Sequence, residues 1–114
     1  SNAELMYLER MSSYTLSYDG TPILCGGTMY QWPGRHMGWA YLNKHSGKHM
    51  LAVTRAARNH LAGVSGRIDF TVRRDFAAGH KWAKLLGFEI ENPPGILKAF
   101  GPEGEDHIAY WRYN

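Results

Sequence analysis

The residues of this chain best placed to do chemistry stand together at 42–50, LNKHSGKHM. Gly47 is flanked there by Lys44, His45, Lys48 and His49. The stretch runs from an expected strand into an expected helix, and a helix start offers free backbone N–H groups and partial positive charge to an anion. A basic loop with a bare glycine at its middle therefore reads as a phosphate cradle, and it equally describes a solvated turn. His45 and His49 are four residues apart, the separation that puts two imidazoles on one helical face in zinc sites. No glutamate lies between them and no third ligand follows, so a metal centre is not expected. Arg55 and Arg58 follow on the expected helix, within reach of a phosphate or simply solvated.

The elements that must position this loop can be read from hydrophobic period. Tyr14, Leu16 and Tyr18 alternate with polar residues up to Asp19-Gly20, a hairpin turn signal, and residues 22–30 return as a second strand. Gly26-Gly27 within that strand predicts a bulge or a close approach by another backbone or a ligand. Residues 37–43 are apolar almost throughout, the pattern of a central strand covered on both faces. Met50, Val53, Ala57 and Leu61 then recur at helical spacing, with Gly63 as the stop. Ile68, Phe70 and Val72 alternate with Arg67, Asp69, Thr71 and Arg73, which predicts a strand with one apolar and one polar face. Asp75 is expected to cap a second amphipathic helix ending at Gly87, and extended runs follow at 88–91, 96–100 and 107–113. A short helix is expected at 4–11.

Composition bounds the rest. The 114 residues suit one domain, and an apolar content of 44% suffices for a core without a staple. One cysteine, Cys25, excludes an internal disulfide framework and fits a reducing cytoplasm. No apolar run is long enough to span a membrane. The formal charge of +3 is spread over several segments, so nucleic acid is not indicated as a partner and anionic small molecules fit as well. Ser1-Asn2-Ala3 reads as the remnant of an affinity tag, and with Glu4 next the natural chain is expected to begin further upstream.

The order helix, hairpin, strand, helix, strand, helix, strands, with a central strand entering an anion loop, resembles the GNAT superfamily of N-acetyltransferases. The sharpest local likeness is GHKWAKLLGF at 79–88, similar to the family's helix that ends in Leu-Gly-Phe before the next strand. The resemblance implies an α/β (α+β) fold over residues 4–114: a mixed, mostly antiparallel central sheet flanked by helices, without the family's first strand. With GRIDFTVRRDFAAGHKWAKLLGF and AFGPEGEDHIAYWR, the chain looks most like a divergent branch from tailed bacteriophages and prophages. That branch implies the cytoplasm of a bacterial host, or association with a virion.

The resemblance also implies chemistry. In the family a Gln/Arg-x-x-Gly-x-Gly/Ala loop holds the pyrophosphate of acetyl-CoA on its amides, which assigns that role here to Leu42, Lys44, His45, Ser46, Gly47, Lys48 and His49. His49 replaces the small last residue of the pattern, and its side chain is expected to crowd the pyrophosphate. The implied reaction is direct transfer of an acetyl group to an amine of a small molecule or protein, with a carboxylate or ordered water as base and a backbone amide on the carbonyl. Asp69 is the expected carboxylate, although an Asp beside Arg67 and Arg73 is also the ordinary setting of an ion pair. Tyr41 could supply a hydroxyl, and His80 lies on the helix that flanks the acyl site in the family. Many members place a tyrosine acid four residues before the glycine of Gly-Phe, and Ala83 stands there instead. A second expectation is therefore a GNAT-fold phage protein without catalysis, structural or host-interacting. Tyr110, Trp111 and Tyr113 could pair two copies into a homodimer or belong to the core.

Overall fold

The fold was taken from a computed structural model that describes residues 11–114. The helix expected at 4–11 and the tag remnant fall on residues 1–10, outside the described residues, while Met11 already opens a strand. β1 (Met11–Tyr18) and β2 (Thr21–Trp32) form the expected hairpin. Asp19 and Gly20 both take positive φ, +50° and +76°, which matches the twist of the flanking strands. A second tight turn at Pro33-Gly34 leads into β3 (Arg35–Leu42). A short 3-10 turn (Ser46–His49) then runs into α1 (Met50–Ala62). Next come β4 (Arg67–Arg73), α2 (Ala77–Leu85), β5 (Glu89–Ile90), β6 (Ile96–Leu97) and β7 (His107–Tyr113).

These strands form one sheet in the order β1-β2-β3-β4-β7-β5, with β6 also pairing β7. Every pairing is antiparallel except that of β3 with β4. Register assigns the faces, because residues paired across neighbouring strands point the same way. Tyr14, Gly26 and Ala40 share one face, and so do Phe70 and Tyr110. Both helices cover it: Val53, Ala57 and Leu61 of α1 and Trp82 and Ala83 of α2 join Leu24, Ile68, Val72, Ile108 and Tyr110 in the core. The two helices are tied together by Trp82 Nε1 donating to Thr54 Oγ1 at 3.1 Å and by Arg58 donating to the Leu85 carbonyl at 2.7 Å. Each large apolar side chain buried here contributes roughly 1.5–3 kcal/mol.

Several expectations are corrected. β3 is half-buried along most of its length, and Tyr41 is 74% exposed, so the strand is covered on one face only. Its apolar residues on the other face, Met37 and Trp39, lie on a surface that no described helix covers. Asp75 does not cap α2: Phe76 holds the N-cap position, and the Asp75 carboxylate sits 3.7 Å from Arg73. The extended runs at 88–91 and 96–100 shrink to two residues each. The glycine pair produces a close approach and no bulge, since a Cβ on Gly27 would overlap the Ser12 carbonyl. The irregularities fall instead at Leu16/Ser17 in the β1–β2 pairing and at Tyr30/Trp32 in the β2–β3 pairing.

Candidate functional site

β3 and β4 pair over only three positions, Arg35 with Arg67, His36 with Ile68 and Met37 with Asp69, and then diverge. Past that point, among the described residues, β3 and β4 do not pair, and the sheet is open between Ala40 and Val72. A cleft of about 690 Å³ fills it. Its walls come from both faces: Leu42, Met50, Phe70, Val72 and Trp82 from the helical side, and Tyr41, Thr71 and His107 from the open side. Two molecules could therefore meet in it from opposite sides. A second depression, of about 720 Å³, lies at the β5 edge beside Arg67, Glu89, Glu91 and Trp111 and touches none of the loop residues.

The loop after β3 forms one end of the cleft. Asn43 shapes it: its side chain accepts the His45 N–H at 2.7 Å and its carbonyl accepts the Ser46 N–H at 2.9 Å, a turn that the asparagine side chain makes locally. Of the seven residues expected to bind an anion there, Leu42, Lys44, Ser46 and Gly47 line the cleft, and His45, Lys48 and His49 do not. The His49 side chain, expected to crowd the loop, does not line the cleft. Its ring lies against Tyr18, centroids 4.3 Å apart, at the β1 end of the sheet. A Cβ on Gly47 would meet nothing within 4 Å, so the backbone there is bare. Bare backbone, Lys44 and the adjoining start of α1 together suit a phosphate group.

The residues expected to be catalytic are not brought together. Tyr41 reaches the open mouth of the cleft. Asp69 sits where the parallel pairing ends, with Arg35 at 2.7 Å and Arg67 at 2.8 Å on its two oxygens. Burial acts to raise the Asp69 carboxyl, but hydrogen bonds and charge from Arg67 and Arg35 hold it below the usual range. It is a fixed anion in an ion network that continues through Arg67 to Glu91 at 3.0 Å. His80 has both ring nitrogens engaged, Nδ1 with the Tyr110 hydroxyl at 2.8 Å and Nε2 with the Arg74 carbonyl at 3.0 Å. It does not line the cleft. Ala83 is fully buried and brings no polar group. His45 and His49 find no third ligand: among the described residues no group of three His, Cys, Asp or Glu could hold a metal.

Sequence reasoning missed another group. Thr71 and His107 are diagonal neighbours on the open face, because Thr71 pairs with Ala109 and Arg73 with His107. Thr71 Oγ1 lies 3.1 Å from His107 Nδ1, and His107 Nε2 lies 3.3 Å from Glu105 Oε1. Thr71 and His107 both line the cleft. Glu105 is held by its own backbone N–H, by the Glu103 N–H and by His107, and these hold its carboxyl below the usual range against the effect of burial. The available signal was Glu105-x-His107 entering a strand, since residues two apart share a face. Thr71 is 36 positions from His107, beyond any local pattern.

No family model matches this chain, and no curated protein sequence does. Solved structures match closely in shape. The ribosomal-protein-S18-alanine N-acetyltransferase from Escherichia coli superposes with a TM-score of 0.69 at 19% identity, over 97% of this chain and 75% of that one. A GNAT-family acetyltransferase from Bacillus anthracis gives 0.70 at 14% identity, over 98% of this chain and 71% of that one. A Bacillus subtilis acetyltransferase solved in complex with CoA gives 0.70 at 14% identity, over 100% of this chain and 84% of that one. The likeness at these identities is one of fold. A seven-stranded, mostly antiparallel sheet with two helices and one splayed parallel pair is the GNAT fold, and this chain has it.

Proposed function

We propose that the chain is an acyl-CoA-dependent N-acyltransferase that moves an acetyl group from acetyl-CoA to an amine. The observation that carries this reading is the bare Gly47 backbone over the cleft, with the His49 ring turned away onto Tyr18. Lys44, Ser46 and Gly47 would hold the pyrophosphate, and the gap between β3 and β4 leads from them to the open face. Acetyl-CoA supplies an activated thioester. Phe70, Val72 and Trp82 exclude water from the inner part of the cleft, and an amine can approach from the side of Tyr41 and Thr71. The Bacillus subtilis neighbour, which has the same fold, was solved with CoA.

A second reading, a GNAT-fold phage component without catalysis, is favoured by Ala83, whose buried methyl offers no proton. Release of free CoA thiol from acetyl-CoA, measured against a panel of polyamine, arylalkylamine and peptide N-terminal acceptors, separates the two. Amine-dependent release supports the acyltransferase. Saturable binding of acetyl-CoA without release to any amine or to water supports the inactive protein.

A further inference from the structure

The order hydroxyl, imidazole, carboxylate at 3.1 Å and 3.3 Å is the arrangement of an activated nucleophile, a base and the group that orients the base. The Glu105 carboxylate can accept only a proton-bearing Nε2, which leaves the lone pair of His107 on Nδ1, facing Thr71. The carboxylate is itself seated. Its second oxygen accepts the Glu103 N–H at 2.9 Å, and its side chain lies across Gly101, where any Cβ would overlap it. The turn at 101–104 closes by Gly101 N–H to the Glu105 carbonyl at 3.0 Å and Gly104 N–H to the Gly101 carbonyl at 2.9 Å. Side-chain exposure of His107 and Glu105 is 16% each, and the Phe100 ring packs 5.2 Å from the imidazole. Glu105 is therefore held in place, and His107 is largely buried beside Phe100.

We propose that Thr71 is a nucleophile and that this site passes the acetyl group through a covalent ester on its hydroxyl, where the fold's expected chemistry is direct transfer. The step balances within the cleft. The Thr71 proton goes to His107 Nδ1 as Oγ1 bonds to the thioester carbonyl carbon. The carbon–sulfur bond breaks, and the imidazolium returns its proton to the departing thiolate. An amine or water then attacks the ester, gives its proton to Nδ1, and Thr71 leaves with that proton. One histidine serves as base and acid in both halves.

The proposal rests on the acyl-CoA reading for its donor, and the test uses two donors so that the two can fail separately. The full chain is incubated with acetyl-CoA, and separately with p-nitrophenyl acetate, which carries the same acyl group and needs no pyrophosphate cradle. Samples are acid-quenched and the acetylated peptides mapped by mass spectrometry, with released CoA or nitrophenolate followed in parallel. The expected result is an acetyl group on Thr71, or release of leaving group that depends on Thr71, with both donors. Thr71→Val abolishes it, His107→Gln slows it at least about tenfold, and Thr71→Ser retains it, which separates lost chemistry from lost folding. Acylation by p-nitrophenyl acetate alone keeps the nucleophile and overturns acetyl-CoA as donor. Labelling of Thr71 by neither donor, without release that depends on it, overturns the nucleophile, and so does release that survives Thr71→Val.

Discussion

The His49 ring packs on Tyr18 with centroids 4.3 Å apart, while Gly47, two residues before it, lines the cleft and His49 does not. An aromatic pair of this kind is worth about 0.5–1.5 kcal/mol, so Tyr18→Ala should release the imidazole toward the loop. The dissociation constant for acetyl-CoA should rise by about threefold to tenfold. His49→Ala in the same background should restore it. A Tyr18→Ala protein with unchanged affinity would show that the stack does not guard the loop.

Asp69 is predicted to hold the sheet together where β3 and β4 part, and not to act as a base. Its two guanidinium partners make Asp69→Asn cost about 1–3 kcal/mol, read as a lower urea midpoint. Its folded pKa is below the ordinary carboxylate value, so the stability it contributes is present above that ordinary value and is lost as pH falls toward the folded one. Folded Asp69→Asn should keep kcat within about tenfold of the parent. A loss of about a hundredfold or more in kcat from the folded variant would return Asp69 to catalysis.

His60 carries a pH dependence of opposite origin. It faces Tyr14, centroids 4.7 Å apart, and Thr28 at 3.5 Å, and burial lowers its pKa. The unfolded chain then binds more protons than the folded one below the ordinary histidine value of about 6.5. Stability is present above that value and falls as pH drops through it to the lower folded pKa. Thermal melts at pH 7.5 and 5.5 should show a decrease that His60→Gln reduces, and an equal decrease in His60→Gln would assign it elsewhere.

Gly79 is predicted to be irreplaceable in the cleft wall. A Cβ there would lie 2.6 Å from the Phe76 ring and 2.7 Å from Val72 Cγ1. Gly79→Ala must push α2 off β4, at about 1–3 kcal/mol by overpacking, and widen the cleft between them. Denaturant unfolding checks the first effect. Unchanged stability would mean that α2 moves freely on the sheet.

The fold was legible where local period and turn chemistry agree. Asp19-Gly20 set the first hairpin, Gly87 ended α2 with φ +87°, and Met50, Val53, Ala57 and Leu61 marked the inner side of α1. The cover on β3 was not legible, because Met37, Trp39 and Tyr41 look buried by type, while only the tertiary arrangement of the helices shows which face is covered. Asp75 read as a cap by type, yet the helix begins later. At the site the loop was legible by composition, but the side chain of His49 was not, since its direction depends on Tyr18, 31 positions earlier in the chain. The link from Thr71 to Glu105 and His107 was invisible for the same reason: β4 and β7 are neighbours in the sheet and distant in the sequence.

Calorimetric titration of the chain with acetyl-CoA, beside Gly47→Glu, asks whether the loop after β3 holds the cofactor's pyrophosphate. Gly47 sits in open space, with room for a side chain as far as the fold is concerned, so the variant should fold and melt like the parent while placing a carboxylate against the cradle. The expected result is saturable binding to the parent and a loss of about tenfold or more in the variant, the scale of a repelled, unscreened charge. Equal affinity in both proteins, or no heat from either, would contradict it.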